Sequence, residues 1–164
     1  MVTADRIAVM RAGEIVQVGP PAEVYEAPNS RYVADFIGEV NLFEGVVTLA
    51  AGGLLRVGTT DAALGLEAAA DGGPPVGSTA WLAVRPEKMA LHLAAPPEGP
   101  NRLAGKVTDV GYLGDWTTYR VTLESGRVVR AAQANAARRI ERPLDPGDPV
   151  WLSFAPDAAV VLTQ

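Results

Sequence analysis

Glycine and proline cut the chain beyond residue 38 into short apolar runs. Gly52-Gly53, Gly72-Gly73-Pro74-Pro75, the Pro96-Pro97 to Pro100 stretch, Ser125-Gly126 and Pro146-Gly147-Asp148 each end one apolar stretch before the next begins. Proline cannot donate to a strand ladder, and glycine supplies the backbone angles of tight turns. The runs left between them, 42–49, 54–57, 64–68, 80–84, 89–93, 103–113, 116–123, 127–132, 150–154 and 159–162, read as short strands. Turns at that spacing predict a mainly β barrel or sandwich. No residue-level repeat is evident.

The first 38 residues have a different texture. Residues 5–18 read as a hairpin turning through Arg11-Ala12-Gly13-Glu14, and Gly19-Pro20-Pro21 ends it. Pro21 suits the first turn of a helix, which Ala22-Glu23-Val24-Tyr25-Glu26 continues. Pro28 then separates a second short helix, capped by Asn29 or Ser30, with Tyr32, Val33, Phe36 and Ile37 on one face and Gly38 as its left-handed C-terminal residue. The expected division is 1–38 and 39–164.

Composition removes whole classes of function. There is no cysteine and a single histidine, His92, so thiolate, iron–sulfur and multi-histidine zinc chemistry are excluded. The formal charge is −5, opposite to that of most nucleic-acid binders. No apolar run approaches the ~20 residues of a membrane-spanning helix, and no secretory leader is visible, so a soluble cytosolic chain is expected. There is no GxxxxGK[ST] phosphate loop, GxGxxG turn or GxSxG elbow. His92 reads as a rim residue, and Asp145 with Asp148 as turn chemistry. Arg138, Arg139 and Arg142 form the one basic cluster, read as a solvated loop.

Two segments hold the candidate ligand or interface residues. Arg85 and Glu87 bracket a strand end at Pro86, where the plain alternative is a turn with a surface ion pair. Tyr112-Leu113-Gly114-Asp115-Trp116-Thr117-Thr118-Tyr119 reads as a turn between two strands. Asp115, Trp116 and Tyr119 stand there as contact points for a partner, because aromatic residues are enriched at interfaces; the plain alternative is a barrel corner with an aromatic cap. No catalytic or metal residue is assigned.

The order of these pieces resembles a known family. Residues 4–19, Ala-Asp-Arg-Ile-Ala-Val-Met-Arg-Ala-Gly-Glu-Ile-Val-Gln-Val-Gly, resemble the last hairpin of an ATP-binding-cassette nucleotide-binding domain. Pro21 to Pro28 and Tyr32 to Gly38 are similar to the segments that follow it in importer ATPases. Ala83-Val84-Arg85-Pro86-Glu87, Tyr112-Leu113-Gly114 with Thr118 and Tyr119, and Asp148 to Pro156 resemble motifs of the C-terminal regulatory region, an OB-type barrel called TOBE. Gly114-Asp115-Trp116-Thr117 leans toward the spermidine/putrescine branch.

The resemblance implies a regulatory and dimer-stabilising region of an importer ATPase. Its partners would be a second copy, inner-membrane permease subunits and a periplasmic solute-binding protein, and its place the inner face of the cytoplasmic membrane. The family's nucleotide loop, signature motif, magnesium-site acid and switch histidine correspond to positions before Ala4, and Met1-Val2-Thr3 departs from the pattern. ATP and magnesium are therefore expected in the parent subunit and no cofactor in this chain, which is expected to be a C-terminal piece without ATPase activity of its own. Apolar surface is expected on residues 1–38, where the rest of the ATPase domain would pack. Two alternatives stand beside this reading: a free-standing sensor of an oxyanion or polyamine, and an OB-type nucleic-acid binder, for which no binding is expected.

Overall fold

The structure is a computed structural model that describes residues 3–135 and 143–164. The cluster Arg138, Arg139 and Arg142 lies outside the described residues. A two-stranded hairpin, β1 (Ile7–Arg11) and β2 (Glu14–Gly19), leads to α1 (Pro21–Glu26) and α2 (Arg31–Ile37). Ten strands follow: β3 (Asn41–Ala51), β4 (Leu54–Thr59), β5 (Ala62–Ala69), β6 (Thr79–Val84), β7 (Ala90–His92), β8 (Arg102–Leu113), β9 (Trp116–Leu123), β10 (Val128–Ala134), β11 (Pro149–Ser153) and β12 (Ala159–Leu162). They form two antiparallel sheets in the orders β12-β6-β3-β4-β5 and β7-β11-β8-β9-β10.

The two orders are one pattern used twice. Strands β3–β6 build the first half and β8–β11 the second, and each half gives its following strand to the other. Thus β7 pairs with β11, and β12 pairs with β6. This overturns the expectation of no repeat. Asn41-x-Phe43-x-Gly45-x-Val47-Thr48 corresponds to Asn101-x-Leu103-x-Gly105-x-Val107-Thr108, and Trp81-Leu82 with Pro86-Glu87 corresponds to Trp151-Leu152 with Pro156-Asp157. Spacings of 60 and 70 residues for the two blocks, read from the numbering, hide the repeat from any search at a single period.

The repeated residues do repeated work. A Cβ on Gly45 would sit 2.2 Å from the carbonyl oxygen of Gly58, and one on Gly105 would sit 2.6 Å from that of Thr122. Only glycine lets β3 and β8 pass so close to their neighbours. Each strand then carries an irregularity in register, between Val47 and Leu49 and between Val107 and Asp109. Such bulges add the local twist that curls a sheet. The Thr48 and Thr108 hydroxyls donate to the carbonyls of Arg56 and Arg120 across them.

One core fills the space between the sheets, with Phe43, Leu55, Leu66, Leu82, Leu103, Tyr119, Leu144 and Leu152 buried. Phe43 stacks on Phe154 with ring centroids 6.1 Å apart. A separate small core of Val9, Val24 and Val33 ties the hairpin to the helices, and Ala34, Ala83 and Leu162 form the seam with the barrel.

Local expectations fare unevenly. Ser30 is the N-cap of α2, its hydroxyl accepting from the Val33 N–H at 3.3 Å. Gly38, expected in a left-handed conformation, is extended at φ 172°. Of the face of Tyr32, Val33, Phe36 and Ile37, Val33 is buried, with Ala34 beside it, while Phe36 is exposed and stacks on Tyr32.

Candidate functional site

Pro86 holds Arg85 extended (φ −70°, ψ 145°) at the end of β6, and Pro86–Lys88 form a single 3-10 turn. That geometry turns the Arg85 side chain away from the barrel core and beneath the two helices. Its Nη1 donates to the carbonyls of Ala34, Gly38 and Glu39 at 2.8, 3.0 and 3.1 Å, and Nη2 donates to Tyr25 at 3.2 Å. Arg85 is 5% exposed, and its guanidinium lies 4.3 Å from the centre of the Tyr25 ring. The carbonyls that end α2 are thus capped by a cation from the barrel, which suits the negative end of a helix. A left-handed Gly38 is not needed for that purpose.

The flanking residues extend the junction. The Tyr25 hydroxyl donates to Glu87, and Lys88 pairs with Glu26. Burial, and then the hydrogen bond to Glu87, push the Tyr25 phenol up to about 12. On the seam beside it, Arg31 stacks 3.9 Å over the Trp81 ring, and the Arg31 N–H donates to the carbonyl of Gln164. Arg85 and Glu87 therefore meet inside the chain, as a clamp between helices and barrel. Tyr25, which completes the clamp, was not singled out in the sequence; its hydroxyl 62 positions from Glu87 leaves no local signal.

The second predicted segment divides. Tyr119 is a core residue, 1% exposed, on the inward face of β9 with Val121 and Leu123. Trp116 is exposed at the β8–β9 turn together with Tyr112 and Leu113. Asp115 stands in the turn, where its carbonyl accepts from the Asn135 N–H at 2.7 Å. Asn135 also donates its amide to Gly114 and accepts from the buried Thr117 hydroxyl at 2.6 Å. This hairpin extends two residue pairs further past the bulge than its counterpart β3–β4, and those extra pairs are Tyr112–Thr117 and Leu113–Trp116. The result is a tied-down apolar tip.

His92 is half-buried and bonds Ser153 at 2.7 Å, and Asp145 with Asp148 closes the expected turn. A cleft of about 680 Å³ lies between the β4–β5 and β9–β10 turns, with Glu98, Glu124 and Arg102 on its walls. Among the described residues no group of three His, Cys, Asp or Glu could hold a metal ion, and no helix is long and apolar enough to cross a membrane.

A twofold-repeated, strand-exchanged barrel of OB type, clamped to a hairpin–helix unit, is the architecture these strands define. Residues 82–162 match the TOBE domain family, and a cytoplasmic molybdate-binding protein, ModG, solved with molybdate bound, has the same fold. It superposes with a TM-score of 0.60 at 15% identity, over 74% of this chain and 94% of its own. Nearly the whole chain is similar to the C-terminal parts of ATP-binding subunits of spermidine/putrescine ABC importers. It is 39% identical over 163 residues to the putrescine transport ATP-binding protein PotG of Escherichia coli K12, covering 99% of this chain and 43% of that protein. It is 38% identical over 165 residues to the spermidine/putrescine import ATP-binding protein PotA of Nitrosomonas europaea, covering 97% and 44%. To PotA of Rubrobacter xylanophilus it is 41% identical over 151 residues, covering 90% and 39%. The chain thus spans about two fifths of the length of these relatives.

Proposed function

We propose that this chain is the regulatory and dimer-stabilising region of an ATP-binding subunit that energises import of a small solute, a polyamine of the spermidine/putrescine type. The observation that carries this reading is the Arg85 clamp. The likeness to PotG runs through both the hairpin–helix unit and the barrel, and Arg85 binds the two together through four backbone carbonyls. A displacement of the helices by events in an adjoining ATPase domain would reach the barrel through that side chain and the contacts beside it. Met10, Ile15, Val18 and Phe36 leave apolar surface on the hairpin–helix unit, where such a domain would pack.

Its partners in this reading are a second copy of the subunit, inner-membrane permease subunits and a periplasmic solute-binding protein, at the inner face of the cytoplasmic membrane. ATP and magnesium belong to the rest of the subunit. A chimaera tests it: the corresponding region of E. coli K12 PotG is replaced by this chain, and putrescine uptake is measured in cells lacking PotG. Uptake above the deletion background is expected, with Arg85→Ala lowering it at equal protein level. A chimaera that accumulates yet restores no uptake overturns the reading.

A sensor function is favoured by one feature, the 680 Å³ cleft with Glu98 and Glu124 on its walls, which suits a polycation better than an oxyanion. Calorimetric titration of the chain with spermidine and with molybdate separates the two ligands, and saturable heat from neither removes the sensor reading.

A further inference from the structure

Both halves of the barrel close their tips by the same backbone bond, and the second half adds to it. After β5 the Ala70 N–H donates to the carbonyl of Gly53, in the β3–β4 turn, at 2.9 Å. After β10 the Asn135 N–H donates in the same way to Asp115, in the β8–β9 turn, at 2.7 Å. An alanine side chain can add no further tie. Asn135 adds two, donating to the Gly114 carbonyl and accepting from the Thr117 hydroxyl. The exposed Tyr112, Leu113 and Trp116 are thereby fixed to the end of β10.

The middle of the same strand is held by the residues that leave α2. The Asn41 amide exchanges two hydrogen bonds with the Arg130 backbone, both at 2.8 Å. The Glu39 carboxylate lies 3.8 Å from the Arg130 Nε, and the Glu39 carbonyl is one of those that Arg85 binds. Asn101 holds Glu67 on β5 in the same manner, but it follows the proline-rich connection 94–100 rather than a helix. Of the two halves, the second is therefore the one whose last strand joins the hairpin–helix unit to an apolar tip.

Five residue steps separate Arg130 from Asn135, about 17 Å at roughly 3.3 Å per residue. From Val128 to Ala134 every residue of β10 has a register partner on β9, so the strand moves with its neighbour rather than bending. Coupling between two places needs an element with two arrangements. The Glu39–Arg130 contact supplies one: at 3.8 Å it is open, and the buried Arg130 Nε has no hydrogen-bond partner among the described residues. A closed charge-assisted bond measures about 2.8 Å, so closure draws β10 and the end of α2 together by about an ångström.

We propose that β10 is a connecting rod. The position of the α2 end, read by Glu39 and Asn41 on Arg130, sets the position of the Tyr112–Trp116 tip through Asn135. This role rests on the regulatory reading for its source of displacement, an adjoining ATPase domain that moves the helices. The linkage itself belongs to this chain, so it can fail while the PotG chimaera restores uptake, and hold where the chimaera does not.

The test is nitrogen-15 NMR of the whole chain, comparing backbone amide positions in the two tips, 50–55 and 112–117. Glu39→Gln removes the charge that draws on Arg130, from a side chain 60% exposed, so the fold is kept. Shifts are expected in 130–135 and in 112–117, with 50–55 left in place. Asn135→Ala cuts the side-chain tie, and Glu39→Gln in that background should move 112–117 little more than 50–55. Shifts that are absent or end at Arg130, that reach both tips equally, or that persist undiminished in the Asn135→Ala background overturn the proposal. Where Asn135→Ala fails to fold, the comparison of the two tips in Glu39→Gln decides by itself.

Discussion

Asn41 and Asn101 hold opposite halves of the barrel by the same pair of hydrogen bonds. The Asn41 amide donates to the carbonyl of Arg130 and accepts from its N–H, both at 2.8 Å. The Asn101 amide does the same to Glu67, at 3.0 and 2.6 Å. Glu67 and Arg130 lie on β5 and β10, the last strands of their sheets, where outward backbone groups have no further strand to pair with. A side-chain amide offers one donor and one acceptor, as a strand residue does. Each asparagine therefore stands in for the missing strand and joins one sheet to the start of the other.

Replacing either asparagine by alanine leaves an N–H and a C=O without partners, buried at Glu67 and part-buried at Arg130, at a cost of about 1–3 kcal/mol. Asn101 also sits at φ 59°, which alanine adopts at a further cost of about 1 kcal/mol. Denaturant unfolding should show both variants with lowered midpoints, Asn101→Ala the lower. Midpoints equal to the parent's would mean that the clasps do not close the barrel.

Gly45 and Gly105 give a steric prediction. The oxygens that a new Cβ would meet belong to backbone in neighbouring strands and cannot turn aside. Alanine at either position should cost about 3 kcal/mol or more, and Gly45, with the closer approach, should be the worse. Gly99→Ala is the control, since nothing lies within 4 Å of its Cβ position. Thermal melts of the three variants check the ranking.

Arg85 was legible as a residue of interest but not as what it is. Its place before proline pointed to a strand end, and the Pro86 turn forms there. The four carbonyls it binds, on the two helices and on the two residues after α2, lie 46 to 60 positions earlier, and no local pattern encodes that. Strands were legible because glycine and proline mark their ends on the page. The duplication was not, because unequal loops shift its two blocks by different amounts and few side chains repeat. Tyr119 shows the limit of composition arguments: an aromatic in an unusual segment reads as an interface, whereas the inward alternation with Val121 and Leu123 made it core.

Arg85→Lys keeps the charge and loses the fork. An ammonium reaches fewer of the four carbonyls at once, so α2 should loosen from the barrel at a cost of about 2–3 kcal/mol. Hydrogen exchange is the measurement, with faster exchange in residues 31–37 and unchanged protection in β8 and β9. Equal loss of protection in both places would show that the helices and barrel unfold as one.

The junction also carries an alkaline limit. Burial and the bond to Glu87 raise the Tyr25 phenol from 10.0 to about 12, so the folded chain holds this proton more tightly than the unfolded chain. Stability from the contact is complete below pH 10 and falls as pH rises toward 12, because only the unfolded state then releases the proton. Ionisation also sets a phenolate against the Glu87 carboxylate. The melting temperature of the parent should therefore drop more steeply between pH 10 and 12 than that of Tyr25→Phe, which has no proton to lose. At pH 8 the order should reverse, with the variant the less stable because Glu87 has lost its donor. Parallel profiles across the whole range would show that the Tyr25–Glu87 bond adds nothing to the helices' attachment.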